Sequence, residues 1–270
     1  MNPESGGLVV AGVNDSPAGR QAVRTGAREA AMRGCRLELV HAFNWAPKIE
    51  PEPALDRTAL LERAVADARE AAPGVPVEVR FVEGAPLTVL LRRSRAAVLT
   101  VIGDGGLPGR TCLPPDALTV QVAARAGGTV LVTPAVSATG PVVVGVNGSD
   151  ASWQALEFAF DTAARRRAGL VVVRAWDPAD EKDPRSGLVR ALSRLERGYG
   201  ITAGLRVVED DAGVALREAA RGAGLVVLGA RGRHPYSGLL GWVAQTLLHH
   251  SPVPVVLVRG TVARTARAAG

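Results

Sequence analysis

At 270 residues, with 47% hydrophobic and 21% charged side chains, the chain has the composition of a folded protein of one large or two ordinary domains. Its 32 Lys and Arg exceed its 26 Asp and Glu by six, and Arg259, Arg264 and Arg267 account for half of that excess. A disordered basic tail from about residue 260 and a mildly basic body are therefore expected, which argues against nucleic acid as a partner. Cys35 and Cys112 lie far apart in no CxxC or Cys/His cluster, which excludes a disulfide framework and gives no metal site. No apolar run reaches the ~18–20 residues of a membrane helix, and Met1–Gly7 lacks the basic and apolar parts of a signal peptide. A cytoplasmic location with no membrane contact is the expectation.

Leu8–Val13 reads as a buried strand, closed by Asn14-Asp15-Ser16-Pro17 with Ser16 as N-cap and Pro17 at the first helical position. Arg20–Arg33 carries Val23, Ala27, Ala30 and Ala31 at helical spacing, and Gly34 stops it. Leu37–Ala42 is the next strand. After a proline-rich loop, Pro47–Pro53, a helix places Leu60, Leu61, Ala64, Val65 and Ala68 on one side. Val75–Val82 is a third strand, Pro86–Arg95 a helix, Ala97–Ile102 a fourth strand, Ala117–Arg125 a helix and Thr129–Val132 a fifth strand. Strands alternating with helices imply parallel βαβ units and a doubly wound sheet.

The pattern then begins again. Val142–Ser149 repeats Val9–Ser16, Leu170–Trp176 repeats Leu37–Phe43, Val207–Glu209 repeats Phe81–Glu83, and Val256–Val258 repeats Val130–Val132. A small-residue linker, Ser137–Gly140, separates the copies. Two tandem domains follow, 1–138 and 139–270, each with its own core pattern and packed as an internal pseudo-dimer.

Leu225–Val258 is the most informative stretch. Leu225–Leu228 is a buried strand, Gly229-Ala230-Arg231-Gly232-Arg233-His234 a basic glycine loop, Trp242–His250 an amphipathic helix, and Val255–Val258 another strand. Backbone N–H groups in such a loop, and at the N-terminus of the helix after it, suit an anion.

This stretch and the tandem pattern around it resemble the universal stress protein family, over about Leu8–Val258. The resemblance implies two five-stranded parallel α/β domains of the adenine nucleotide alpha hydrolase-like type, joined through their last strands. In that family, ATP-binding members carry an Asp after the first strand and G-x2-G-x9-G-[ST] after the fourth. Gly229, Gly232 and Gly241 match the glycines, with eight residues before Gly241 instead of nine and Trp242 where Ser or Thr belongs; Asn147 replaces the Asp. In the first copy Gly103 and Gly106 match, the final pair is Asp116-Ala117, and Asn14 replaces the Asp. Asp116 near a helix N-terminus satisfies the free N–H groups itself and repels phosphate. The first copy is thus expected to have lost triphosphate binding.

The resemblance implies a non-catalytic stress-response regulatory or interaction module, with ATP or another adenine nucleotide held in the second domain by Asn147, Ala175, Gly229, Arg231, Gly232, Gly241 and Trp242. Ala175 enters because the family sets adenine against backbone just after the second strand. The other readings are a nucleotide-independent protein–protein scaffold and, behind it, a slow nucleotide hydrolase. The family also implies a homodimer; the protein partner is open. Trp242 is read as a packed or cleft-filling side chain, Trp153 and Phe160 as core, His41 as a capped histidine at the strand edge, Cys112 as incidental, and His249-His250 as favouring their helix dipole. No P-loop, nucleophile elbow or clustered carboxylates occur, so no catalytic residues are assigned.

Overall fold

The computed structural model describes residues 6–43, 57–109, 114–176, 185, 187–230 and 240–259. The first half runs β1 (Leu8–Gly12), α1 (Pro17–Arg33), β2 (Arg36–Phe43), α2 (Arg57–Ala71), β3 (Val77–Glu83), α3 (Pro86–Ser94), β4 (Leu99–Gly103), α4 (Leu118–Arg125) and β5 (Val130–Thr133). The second half repeats it as β6 (Val142–Gly145), α5 (Asp150–Arg166), β7 (Leu170–Ala175), α6 (Leu188–Tyr199), β8 (Ala203–Val208), α7 (Ala212–Ala220), β9 (Leu225–Gly229), α8 (Trp242–His250) and β10 (Val255–Val258).

Local chemistry explains the element ends. Ser16 Oγ accepts from Gly19 N at 3.0 Å and Pro17 pre-sets the first turn of α1. Gly34 ends the helix at φ 62°, a left-handed conformation that glycine adopts without strain. Ser149 caps α5 in the same way, accepting from Ser152 N at 3.3 Å.

The ten strands of the described residues form one sheet in the order β3-β2-β1-β4-β5-β10-β9-β6-β7-β8. Within each half every pairing is parallel. The halves meet where β5 and β10 pair antiparallel, with Val255 opposite Val132 and Leu257 opposite Val130. The pairing through last strands is the one that the resemblance implied.

The cores differ from two separate ones. On one face of the sheet, Val23, Ala27, Leu60 and Ala68 belong to the same buried cluster as Leu156, Phe160, Leu192 and Leu195. On the other, α3 and α4 share a cluster with α7 and α8. Antiparallel pairing at the seam makes the sheet continuous, so apolar rows on each face run across it. Phe160 is fully buried and Trp153 packs against the same cluster, as expected.

Polar side chains stitch the halves together. Arg259, assigned to a disordered tail from sequence, directs its guanidinium to the Ala123 and Ala124 carbonyls in the last turn of α4. A cation there compensates helix carbonyls that have no partner within the helix. Within the first half, Gln21 donates to Ser137 Oγ at 2.8 Å, holding the start of the linker to α1.

Asp67 joins α2 to α1, accepting from Arg20 Nε at 3.1 Å and Arg24 Nη2 at 2.7 Å. Burial pulls its pKa upward, but the hydrogen bonds from Arg20 and Arg24 outweigh burial and hold the carboxyl below its ordinary 3.8. A lowered folded pKa gives stability that is present above the unfolded value and lost as pH falls through the folded one. Asp67→Asn should therefore lower stability by about 1.5–3 kcal/mol at neutral pH. Urea titrations at several pH values should show the gap between the two proteins closing only below roughly pH 4.

Candidate functional site

In each half the strand order reverses between two neighbours, β1 and β4 in the first, β6 and β9 in the second. Helices leave these strands to opposite faces, so a crevice opens beyond their carboxyl ends, the position where open α/β sheets bind ligands. The two crevices have unlike fillings.

In the first, Asn14 Oδ1 accepts from Ser16 N at 3.2 Å and Ser16 Oγ at 2.8 Å, folding the side chain onto its own turn. His41, at the end of β2, meets the Val13 carbonyl through Nδ1 at 3.0 Å and stacks on Phe81, which agrees with a capped histidine. The loop after β4 is closed by protein groups. Asp104 Oδ1 accepts from Gly106 N at 2.9 Å, and Thr119 Oγ1 donates to the Gly103 carbonyl at 3.0 Å. Asp116 does not play the part expected of it. The N-cap of α4 is Ala117, without a side-chain cap bond, and the carboxylate that takes a loop amide is Asp104. The sequence signal for this is an acid directly after the β4 glycine, outside the motif's final pair.

In the second crevice, Asn147 follows β6 and its Oδ1 accepts from Ser149 N at 3.0 Å and Ser149 Oγ at 2.7 Å, the same turn as at Asn14. Ala175 ends β7, opposite Val208 in the adjoining strand. Gly229 ends β9, where a Cβ would lie 2.6 Å from the Ala151 carbonyl carbon in the first turn of α5. Gly241 is the N-cap of α8, with φ −65° and no side-chain cap bond. Gln245 secures this turn by donating to the Leu240 carbonyl at 2.7 Å, as Gln121 does to the Pro115 carbonyl in the first half. The topology thus gathers Asn147, Ala175, Gly229 and Gly241 at one end of three adjacent strands. Arg231, Gly232, Arg233 and His234 lie outside the described residues, as does Cys112.

Trp242 corrects the reading from sequence. It is the first residue of α8 and 67% exposed, not packed inward. Leu118 starts α4 in the same outward position, so a large side chain there points away from the sheet in both halves. His249 and His250 close α8, and desolvation, with His249 and Arg217 nearby, holds His250 below its ordinary pKa. Burial raises the Cys35 thiol, making it a poor nucleophile. Among the described residues no group of three or more His, Cys, Asp or Glu could hold a metal ion, and no helix is long and apolar enough to cross a membrane.

The two crevices differ most at two positions. Where the first half has Asp104 after its β4 glycine, the second has Ala230, and where the first has Thr119, the second has Val243. Residues 231–239 contain two arginines, a histidine and no acid. The second loop is accordingly the more electropositive, while the N-termini of α4 and α8 alike have no cap from any described side chain.

Comparison with known proteins agrees with the duplicated architecture. A sequence profile of the universal stress protein family matches residues 8–134 and again 139–259. A universal stress protein of Mycobacterium tuberculosis is 32% identical over an alignment covering 93% of this chain and 96% of that protein. One from Mycobacterium bovis is 29% identical over the same shares of the two chains. The crystal structure of a universal stress protein from Archaeoglobus fulgidus has the same fold, with a TM-score of 0.74 at 15% identity, covering 93% of this chain and 98% of that one. With both halves matched and the alignments running nearly end to end, the chain belongs to the universal stress protein family.

Proposed function

We propose that the chain is a non-catalytic regulatory or interaction module whose second domain, within 139–270, holds an adenine nucleotide, while the first domain, 1–138, has lost that capacity. One observation carries the asymmetry. The first loop satisfies itself through Asp104 and Thr119, whereas the second has Ala230 and Val243 in their places. A nucleotide phosphate is the group that an electropositive loop and a bare helix N-terminus suit. In this reading Gly229, Arg231, Gly232 and Gly241 face the phosphates, Asn147 offers its Nδ2 amide to the ribose, Ala175 presents backbone to the base, and Trp242 stands exposed at the rim. No nucleophile, base and oxyanion site occur together among the described residues, so turnover forms no part of the reading. A cytoplasmic location suits a nucleotide-binding regulator of this kind.

Calorimetric titration with ATP and AMP, with and without Mg²⁺, tests this. Heat should accompany ATP binding, and Gly241→Glu should weaken it at least tenfold, about 1.4 kcal/mol, without changing the melting temperature. Gly241 has no described atom within 4 Å of where a Cβ would sit, so the change adds charge without a clash against the described residues. Absence of heat at millimolar ATP would favour a nucleotide-independent scaffold. That second reading is supported by Asn147, whose Oδ1 is already committed to Ser149. ADP accumulating over hours would favour the hydrolase.

A further inference from the structure

Strand β3 ends the ten-stranded sheet at one side, and β8 ends it at the other. An open strand edge is a template for another strand, and proteins normally guard it with charge. On β3 the guarding charges are arranged so that they complement each other. From the structure we infer that β3 is a self-association edge, at which a second copy of this chain pairs antiparallel about Val79 to continue the sheet.

Backbone parity comes first. Leu37 N donates to the Pro76 carbonyl, and Gly84 N donates to the Phe43 carbonyl, so even-numbered residues of β3 direct their amide groups to β2. Val77, Val79 and Phe81 therefore point theirs outward. An antiparallel partner centred on Val79 sets Val79 opposite its own copy and Val77 opposite Phe81. These are the residues with free outward groups, so they form the hydrogen-bonded pairs of the new ladder.

Side chains follow the same two-fold. Glu78 falls opposite Arg80 of the second copy, and Arg80 opposite its Glu78, in the pairs where side chains lie closest. Within the chain Arg80 already holds Glu78 at 3.0 Å and reaches buried Glu38 at 3.5 Å, which fixes it on the α3 side of the sheet. On the α2 side, Val79 is 39% and Phe81 45% exposed. They line an open groove of about 570 Å³ against Leu61 and Val65 of α2. The partner's Val77, Val79 and Phe81 enter beside that groove and cover it.

The opposite edge lacks this property. Trp176 N donates to the Val208 carbonyl, so Ala203, Leu205 and Val207 face outward on β8. A two-fold about Leu205 sets Arg206 against Gly204, with no charge to meet it. The chemistry selects β3 and an isologous, closed dimer.

Sedimentation velocity of the full chain, across micromolar concentrations, tests the inference. The unmodified protein should move from monomer to dimer, with the modest affinity of a small interface. Val79→Pro removes an outward N–H while leaving the bonds to β2 intact, so it should yield monomer at all concentrations with unchanged circular dichroism. Glu78→Arg sets like charges opposite each other and should raise the dissociation constant at least tenfold, and it provides the answer should the proline variant not fold. A protein that stays monomeric would overturn the inference. So would a dimer indifferent to both changes, or an open-ended ladder of larger species, which would mean β3 meets a different edge.

Discussion

Glu29→Ala should be among the most damaging single changes available in this chain, costing about 3–5 kcal/mol. Glu29 is only 1% exposed, on α1, and its partners come from both halves. Arg166 of α5 donates to Oε1 at 2.6 Å, and Arg33, one helical turn on, lies 3.2 Å from Oε2. Arg33 in turn donates to Thr162 Oγ1 at 3.2 Å and lies 5.1 Å above the Phe158 ring centroid. Arg165 completes the seam by donating to the Met32 carbonyl at 2.9 Å while held by Asp161. Removing the carboxylate leaves two guanidinium groups in a half-buried interface between α1 and α5 with no anion between them. That loss of a partner, not the net worth of the ion pair, sets the size of the effect. Urea unfolding should show a lower midpoint. Because the continuous core of the α1/α5 face spans both halves, unfolding should remain one transition in the parent protein. In the variant it should broaden or divide as the halves uncouple. A midpoint within experimental error of the parent would show that α1 and α5 are held by apolar packing alone.

The seam also marks where sequence reading stops. The strands and helices were legible because each carries its own signal. Val142–Val144 is a continuous apolar run, Ser16-Pro17 opens a helix and Gly34 closes one. The repeat made the second half readable from the first. Glu29, Arg33, Arg165 and Arg166 carry no such signal, since on either helix alone they read as an ordinary charged face. Their pairing depends on the antiparallel meeting of β5 and β10, a contact between residues more than a hundred positions apart. Arg259 was misassigned for the same reason, because its carbonyl partners belong to the other half. At the crevice, the strand order brings the ends of β6, β7 and β9, and with them Asn147, Ala175 and Gly229, to one end of the sheet. The inward reading of Trp242 failed because periodicity in a nine-residue helix does not fix which side its first turn presents.

Motif glycines are usually read as ligand-facing, but Gly229 and Gly241 should part company when each is replaced by alanine. At Gly229 a Cβ would come within 2.6 Å of both the carbonyl carbon and oxygen of Ala151, so the α5 backbone itself would have to move. Overpacking of that kind costs about 1–3 kcal/mol. Gly103 has the same surroundings in the first half, where a Cβ would sit 2.8 Å from the Ala18 carbonyl carbon. Its loop is closed by Asp104, so nothing about a nucleotide accounts for the glycine there. Gly103→Ala and Gly229→Ala should therefore destabilise by similar amounts in thermal or urea melts, because both glycines let the fourth strand of a half leave the sheet close beneath the first turn of that half's first helix, α1 or α5. Among the described residues Gly241 has no atom within 4 Å of the Cβ position, and its φ is an ordinary −65°. Gly241→Ala should stay within about 0.5 kcal/mol of the parent. A Gly241→Ala variant that is stable yet binds ATP less well would mark that glycine as the ligand-facing one, and leave Gly229 as the packing residue that both halves share. Equal destabilisation at Gly229 and Gly241 would instead mean that the α8 turn is packed as tightly as the β9 exit.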